Sequence, residues 1–339
     1  MKITKILVAL SFLFAISTAH AGELTVTGNM EATYHTQGDK TTGNPLGMDR
    51  ELKFSGSTEL DNGITVSVYQ DTTDNLGYGD AKITFGGVAG LVDIYVGADG
   101  SPVDAIDDVT PSAYEEANGS GSGTYTSNDI GDLAGEMGIG VKFNLPILGA
   151  VEAKYIPKAD GTENSDNASS GDAADSVGNG NSISIKTNLG DAPIVGSFLD
   201  GATLTTGYET YKVAADANTD EAHDFTAAVN YSIGNFSLGV QKKVHNEGQT
   251  SSTTDAVWYK DTAIGIAYAV NDNLSLSYNT YESQYHANTG APDQETKAIN
   301  VGYTMGGMTI GFQDAQTDND GYVADTTDDT RTIGISVAF

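Results

Sequence analysis

Asp224-Phe-Thr-Ala-Ala-Val-Asn-Tyr-Ser-Ile233 alternates apolar and polar residues at nearly every step. Phe225, Ala227, Val229, Tyr231 and Ile233 fall on one side, and Asp224, Thr226, Ala228, Asn230 and Ser232 on the other. Successive side chains of an extended chain point to opposite faces, so this stretch reads as a strand with one oily face and one wet face. Gly234-Asn235 follows, two residues that accept positive φ at little cost, and the same alternation restarts at Phe236. The unit is a hairpin of two half-apolar strands.

Working outward in both directions, the period of two persists and rarely gives way to helical spacing. It places strands near 24–34, 49–60, 63–71, 80–87, 90–97, 135–144, 149–156, 181–190, 201–212, 223–233, 236–246, 257–270, 273–286, 296–305, 308–316 and 330–339. That is sixteen strands. The connections alternate too. Asp61-Asn62-Gly63, Gly86 to Gly90, Gly234-Asn235, Asn271-Asp272-Asn273 and Gly306-Gly307 are tight turns, and the intervening connections are long and polar. Short turns at one end, long loops at the other and an even strand count describe an all-β, transmembrane antiparallel β-barrel with periplasmic turns and extracellular loops. Leu189 to Gly201 is too long for a turn, so an extra hairpin and eighteen strands form the alternative.

The mean hydropathy of −0.25 is compatible with this, because only alternate residues of a barrel face lipid. A soluble sandwich or β-solenoid would show the same alternation. The last strand argues against them: Arg331, Ile333, Ile335, Val337 and Phe339 alternate with Thr332, Gly334, Ser336 and Ala338. Pairing it with residues 24–34 would remove both sheet edges, as lipid demands.

Met1 to Ala21 carries Lys2 and Lys5, an apolar core from Ile6 to Ile16, and Ala19-His20-Ala21. This is the pattern of a signal peptide, with residues 22–339 as a single mature domain. The apolar run is shorter than the ~20 residues a spanning helix needs. The chain has no cysteine, which removes disulfides, thiolate metal sites and a cysteine nucleophile. With 46 acidic and 16 basic residues the net charge is −30, and loss of the two leader lysines takes the mature chain to −32. Nucleic acid is excluded as a partner, because phosphate binding needs clustered Lys and Arg.

Residues 98–134 form the longest connection, and long loops without their own periodicity are usually functional. They hold Asp99, Asp104, Asp107, Asp108, Glu115, Glu116, Asp129 and Asp132 but no Lys or Arg. Folded into a barrel, this loop would narrow the pore, with Asp104, Asp107, Asp108, Glu115 and Glu116 as its acidic constriction. Strand parity aims Lys53, Lys82, Lys142, Lys154 and Lys186 at the lumen as a basic wall opposite it. Parity also turns Glu31, Glu51, Glu59, Asp71, Asp93, Glu152, Tyr69, Tyr95 and Tyr281 inward.

The leader, the alternating strands, the long loop after the fifth strand and the terminal Phe339 together resemble the general porins of Gram-negative outer membranes. Gly90-Leu-Val-Asp-Ile-Tyr-Val-Gly97 leading into Pro102-Val103-Asp104 is similar to the fifth strand and third loop of the proteobacterial branch. The resemblance implies a sixteen-stranded homotrimer that passes small hydrophilic solutes passively, with third-loop carboxylates facing basic wall residues. It implies that Phe339 is read by the β-barrel assembly machinery, and that outer-membrane lipid and lipopolysaccharide surround the barrel.

One departure from that family is the near-absence of arginine. Only Arg50 and Arg331 occur, both at outer strand ends. Lysines bring charge without the rigid planar fork, so the transverse field should be weaker. The excess of carboxylates then favours cations. A substrate-specific channel and a secreted β-structural or adhesive surface protein are the rival readings.

No enzyme is expected: no nucleophile elbow or paired-histidine spacing occurs. Gly119 to Gly123 lacks the lysine of a phosphate loop, and no cofactor is called for. Asp318-Asn-Asp-Gly321 has the flavour of a calcium loop, yet Gln316 and Thr327 stand where the template wants carboxylates. Loose Ca²⁺ or Mg²⁺ at the acidic extracellular loops is the most it suggests. His35, His223, His245 and His286 all fall near outer strand ends, on different strands.

Overall fold

A computed structural model describes residues 22, 24–38, 43–72, 77–117, 130–131, 133–157, 177–191, 198–213, 221–248, 257–286 and 290–339. The leader and residues 118–129 and 132 of the long loop lie outside the described residues. The strands are β1 (Thr25–Gln37), β2 (Leu46–Glu59), β3 (Thr65–Thr72), β4 (Tyr78–Val88), β5 (Val92–Ala98), β6 (Met137–Leu145), β7 (Gly149–Ile156) and β8 (Val177–Asn188). The second half adds β9 (Ala202–Val213), β10 (Ala222–Ile233), β11 (Phe236–Asn246), β12 (Trp258–Ala269), β13 (Leu274–Tyr285), β14 (Gln294–Met305), β15 (Met308–Asp318) and β16 (Thr327–Ala338).

All sixteen join one closed antiparallel barrel in chain order, with β16 returning to β1. The closing register pairs Tyr34 with Ile333 and Asn29 with Ala338, and Phe339 exchanges two backbone hydrogen bonds with Gly28. A single closed sheet overturns the soluble-sandwich alternative. The eighteen-strand alternative is overturned as well: β8 pairs directly with β9, and Leu189–Asp191 between them is a short 3-10 turn.

The faces are inverted relative to a soluble protein. Phe225 and Val229 are 44% and 42% exposed, whereas Asp224, Thr226 and Ala228 are at most 2% exposed. The oily face of the opening stretch therefore looks outward, and its wet face is covered from within. Several strands begin beyond the end of the apolar alternation: β2 starts at Leu46, β8 at Val177 and β16 at Thr327. Backbone pairing continues past the hydrocarbon edge, where side chains no longer need to alternate.

Candidate pore constriction

The interior is filled on one side by the loop between β5 and β6. Its root is Asp99, 6% exposed. The Asp99 carboxylate is ion-paired with Lys82 of β4 and with Lys154 of β7, at 3.3 Å for the latter, and the Lys154 ammonium also donates to the Asp99 carbonyl at 2.7 Å. Lys154 is buried completely, so these contacts compensate a charge that water does not reach.

From there the loop runs around the wall in strand order. Val103 N–H donates to Ser182 Oγ on β8. After a 3-10 turn at Asp104–Ile106, Gln241 of β11 donates to the carbonyls of Ile106 and Asp107 and accepts from Val109 N–H. Asn230 of β10 donates to the Val109 carbonyl, and Asn279 of β13 to the Pro111 carbonyl. Ala113 N–H reaches Ser277 of β13, and Gln313 of β15 donates to the carbonyls of Glu115 and Glu116. Tyr114 donates its hydroxyl to Glu31 of β1 at 2.8 Å. On the returning limb, Gly131 N–H donates to Asp224 and Leu133 N–H to Glu209.

The wall makes room for this strap with glycine. A methyl group at Gly239 or Gly265 would overlap Pro111, one at Gly302 the Ala113 carbonyl, and one at Gly311 or Gly334 the Tyr114 ring or hydroxyl. Gly207 leaves space for Val103 and Ile106 in the same way. These six residues sit on six strands yet share one role, the close approach of the loop.

The sequence-derived site residues with contacts separate into four groups. Lys82 and Lys154 meet the loop, but at Asp99 rather than at the five carboxylates put forward for the constriction. Asp108 pairs at 3.3 Å with Lys243 of β11, a lysine that the sequence reading left out. Lys142 pairs with Glu152 on its own wall at 2.8 Å. Lys142 and Lys186 line, with Asp93, Glu152, Ala105 and Ile106, a cavity of about 490 Å³ beneath the 3-10 turn. Lys53 lies 3.9 Å from the Tyr69 ring centroid.

Lys53 is the first rung of an arrangement that parity alone did not reveal. Lys53 (β2), Tyr69 (β3), Lys82 (β4), Tyr95 (β5) and Lys142 (β6) alternate cation and ring across five neighbouring strands. The ammonium-to-centroid distances run from 3.9 to 5.7 Å. Tyr95 OH then donates to Glu152 of β7 at 2.8 Å. Cation–π contacts hold these lysines where a guanidinium cluster is missing.

Burial pushes the Glu115 carboxyl up to about 7, helped by the charges of Glu116 and Glu31. Burial raises Glu116 also, and raises Tyr114 above the usual phenol value, with its bond to Glu31 adding to the shift. Within this acidic part of the strap, Glu115 thus titrates near neutrality.

A closed barrel with an apolar exterior, a polar interior and a loop strapped inside it defines a water-filled outer-membrane channel. A family model described as Gram-negative porin matches residues 7–322, and the chain belongs to that family. No curated protein matches it by sequence. Among solved structures it is similar to OmpT of Vibrio cholerae, at 12% identity and a TM-score of 0.68, covering 96% of this chain and all of that one. Salmonella typhi OmpF, solved in complex with daunomycin, matches at 16% identity and a TM-score of 0.65, covering 94% of this chain and 98% of that one. A Rh. blastica porin mutant matches at 16% identity and a TM-score of 0.59, covering 94% and 100%. At such identities these likenesses speak for the fold.

Proposed function

We propose that this chain is a passive, non-enzymatic diffusion channel for small hydrophilic solutes and ions that leans toward cations. The observation carrying the reading is the strap itself. A 3-10 turn with Asp104, Asp107 and Asp108 is tied to the wall by Gln241 and Lys243, and Glu31, Glu115 and Glu116 cluster beyond it. Most of the wall lysines are already engaged by Asp99 or Glu152, so the remaining field is that of the carboxylates. In planar bilayers under a salt gradient, the reversal potential should report cation preference. D104N/D107N/D108N should shift it toward anions; anion preference in the native protein, or no shift in the triple variant, would sink the reading.

A homotrimer in the outer membrane fits the barrel's uneven wall. β3, β5 and β7 have 8, 7 and 8 residues, fewer than the roughly 9–11 that a tilted strand needs to cross hydrocarbon, and β6 between them has only 9. Their outer face is an apolar concavity lined by Leu24, Phe54, Val68, Ile83, Val96 and Met137. Two further copies would cover it, and one V. cholerae OmpT structure is described as a trimer form. Export by the leader and recognition of Phe339 during assembly complete this picture.

One observation favours the substrate-specific alternative. Tyr259, Tyr285 and Tyr322 pack together at the extracellular mouth with ring centroids 5.0 to 6.0 Å apart. Saturable block of the ion current by one solute class, lost in Y259A/Y285A, would move the assignment that way.

A further inference from the structure

On four neighbouring strands the lumen wall carries charges of alternating sign. Asp93 of β5 is in register with Lys142 of β6, Lys142 with Glu152 of β7, and Glu152 with Ser184 of β8, two residues before Lys186. The inner two satisfy each other. Lys142 pairs with Glu152 at 2.8 Å, and the other Glu152 oxygen accepts from the Tyr95 hydroxyl. The outer two are left over: among the described residues the Lys186 ammonium has no ion pair or hydrogen bond, and Asp93 accepts only from Gly87 N–H at 2.8 Å.

Both leftover charges face one space. Asp93, Lys142, Glu152 and Lys186 all line the cavity of about 490 Å³ under the Asp104–Ile106 turn, a volume in the range of small-molecule sites. In the register row below, Ala150 stands between Asn144 and Lys186, and its single methyl group leaves the floor open. Ser184 and Asn144 bring to that floor a hydroxyl and an amide whose side chains have no hydrogen bond among the described residues. Ala105 and Ile106 roof the space with apolar surface, and Leu91 closes one side.

Charge order and spacing select the ligand. A simple anion drawn to Lys186 meets Glu152 close by, and a simple cation drawn to Asp93 meets Lys142, so neither gains from the whole site. A dipolar solute gains at both ends. Three strand spacings of about 4.8 Å put Asp93 and Lys186 roughly 14 Å apart along the wall, and side chains leaning inward from a concave surface close part of that gap. A free α-amino acid carries both charges on one carbon and cannot reach across. An extended tripeptide spans about 10 Å and can, with its peptide groups left to hydrogen-bond Ser184 and Asn144.

We propose that this cavity is a subsite for extended zwitterions, namely short peptides of about three residues, with the ammonium at Asp93 and the carboxylate at Lys186. The inference rests on the diffusion-channel reading above and names a solute class for it.

Equilibrium dialysis of the folded protein in detergent against radiolabelled trialanine should show saturable binding. N-acetyl-trialanine keeps only the carboxylate and trialanine amide only the ammonium, so each should compete about fivefold more weakly, the scale of one part-exposed ion pair. Free alanine should compete more weakly still. K186Q should bind trialanine and its amide equally, and D93N should bind trialanine and its acetyl derivative equally. The asparagine keeps an acceptor for Gly87 N–H, so the neighbouring turn is retained. Absence of saturable binding to the native protein, alanine competing as well as trialanine, or a K186Q variant that still prefers trialanine over its amide overturns the proposal. Conductance of the same preparation in planar bilayers without peptide separates the two readings: open pores that bind no peptide refute the subsite alone, and a preparation that forms no pores refutes the channel.

Discussion

The barrel has two inner walls built by the same parity rule, and they carry different chemistry. From β8 to β16 most of the inward residues that touch the strap are amides, small hydroxyls and glycines, namely Gln241, Asn230, Asn279, Ser277, Gln313, Gly265 and Gly302, with Glu209, Asp224 and Lys243 as charged exceptions. From β2 to β6 they are alternating lysine and tyrosine. The first wall receives a peptide backbone, which needs neutral donors, acceptors and close approach. The second carries cations steadied against rings, with Lys82 and Lys142 also paired to Asp99 and Glu152. The difference teaches that lumen-facing residues are not one class. Those under the strap serve the fold of the loop, and those across from it are held by rings and carboxylates.

The boundary between the walls is the Asp99 node, and breaking it should have the largest effect. D99A leaves Lys154 buried without its carboxylate, a loss of about 3–5 kcal/mol for an uncompensated buried charge. Reversible urea unfolding in lipid vesicles should record a drop of that order. D99A/K154M should recover much of it, because apolar replacement of both partners removes the unpaired charge. An unchanged midpoint in D99A would mean that the two walls are not joined there.

A smaller effect belongs to the glycine positions under the strap. G265A and G302A each force a methyl group onto a loop carbonyl, and overpacking of this kind costs about 1–3 kcal/mol. The barrel has no need of the loop to close, so the strain should appear as undocking: faster liposome swelling with sugars that the native pore retards, and new protease cleavage in the loop. G290A, whose added methyl meets nothing within 4 Å, is the control. Native permeability in both variants would show that the strap tolerates displacement and that the first wall is less committed than its contacts suggest.

How far the two walls were legible in the sequence follows from what parity can and cannot encode. Alternation in stretches such as Asp224 to Ile233 gives each strand and its facing, and the tight turns give the order of pairing, so the barrel is readable. The inward aim of Lys53, Lys82 and Lys154 is readable for the same reason. Their partners are not, because a loop of irregular backbone has no period to place Asp99 or Asp108 against a particular strand. Lys243 was omitted although it shares the parity of Gln241 and His245, which was the available signal. Gly239, Gly265 and Gly302 read as ordinary weak points of a strand, and only a second backbone lying against them gives them a purpose. The barrel's length was underestimated at the outer rim, at Leu46 and Thr327, because polar residues there hide continued pairing.

The faintest expected effect tests whether the strap presents its own charge to the solute across from the lysine–tyrosine wall. Glu115 is held neutral by burial until about pH 7, with Glu116 and Glu31 opposing its ionisation. A carboxyl raised in this way is uncharged below its folded value and anionic above it. Cation preference should therefore rise as pH increases from about 6 to 8, a window in which an ordinary carboxylate has already finished titrating. The same shift has a stability sign: the folded loop binds a proton that the unfolded chain releases, so docking is firmest at acid pH and weakens as pH rises toward 7. E115Q should hold the low-pH selectivity across the whole range and flatten both trends. A reversal potential that rises with pH as steeply in E115Q as in the native channel would assign the titration to another group and remove Glu115 from the solute's path.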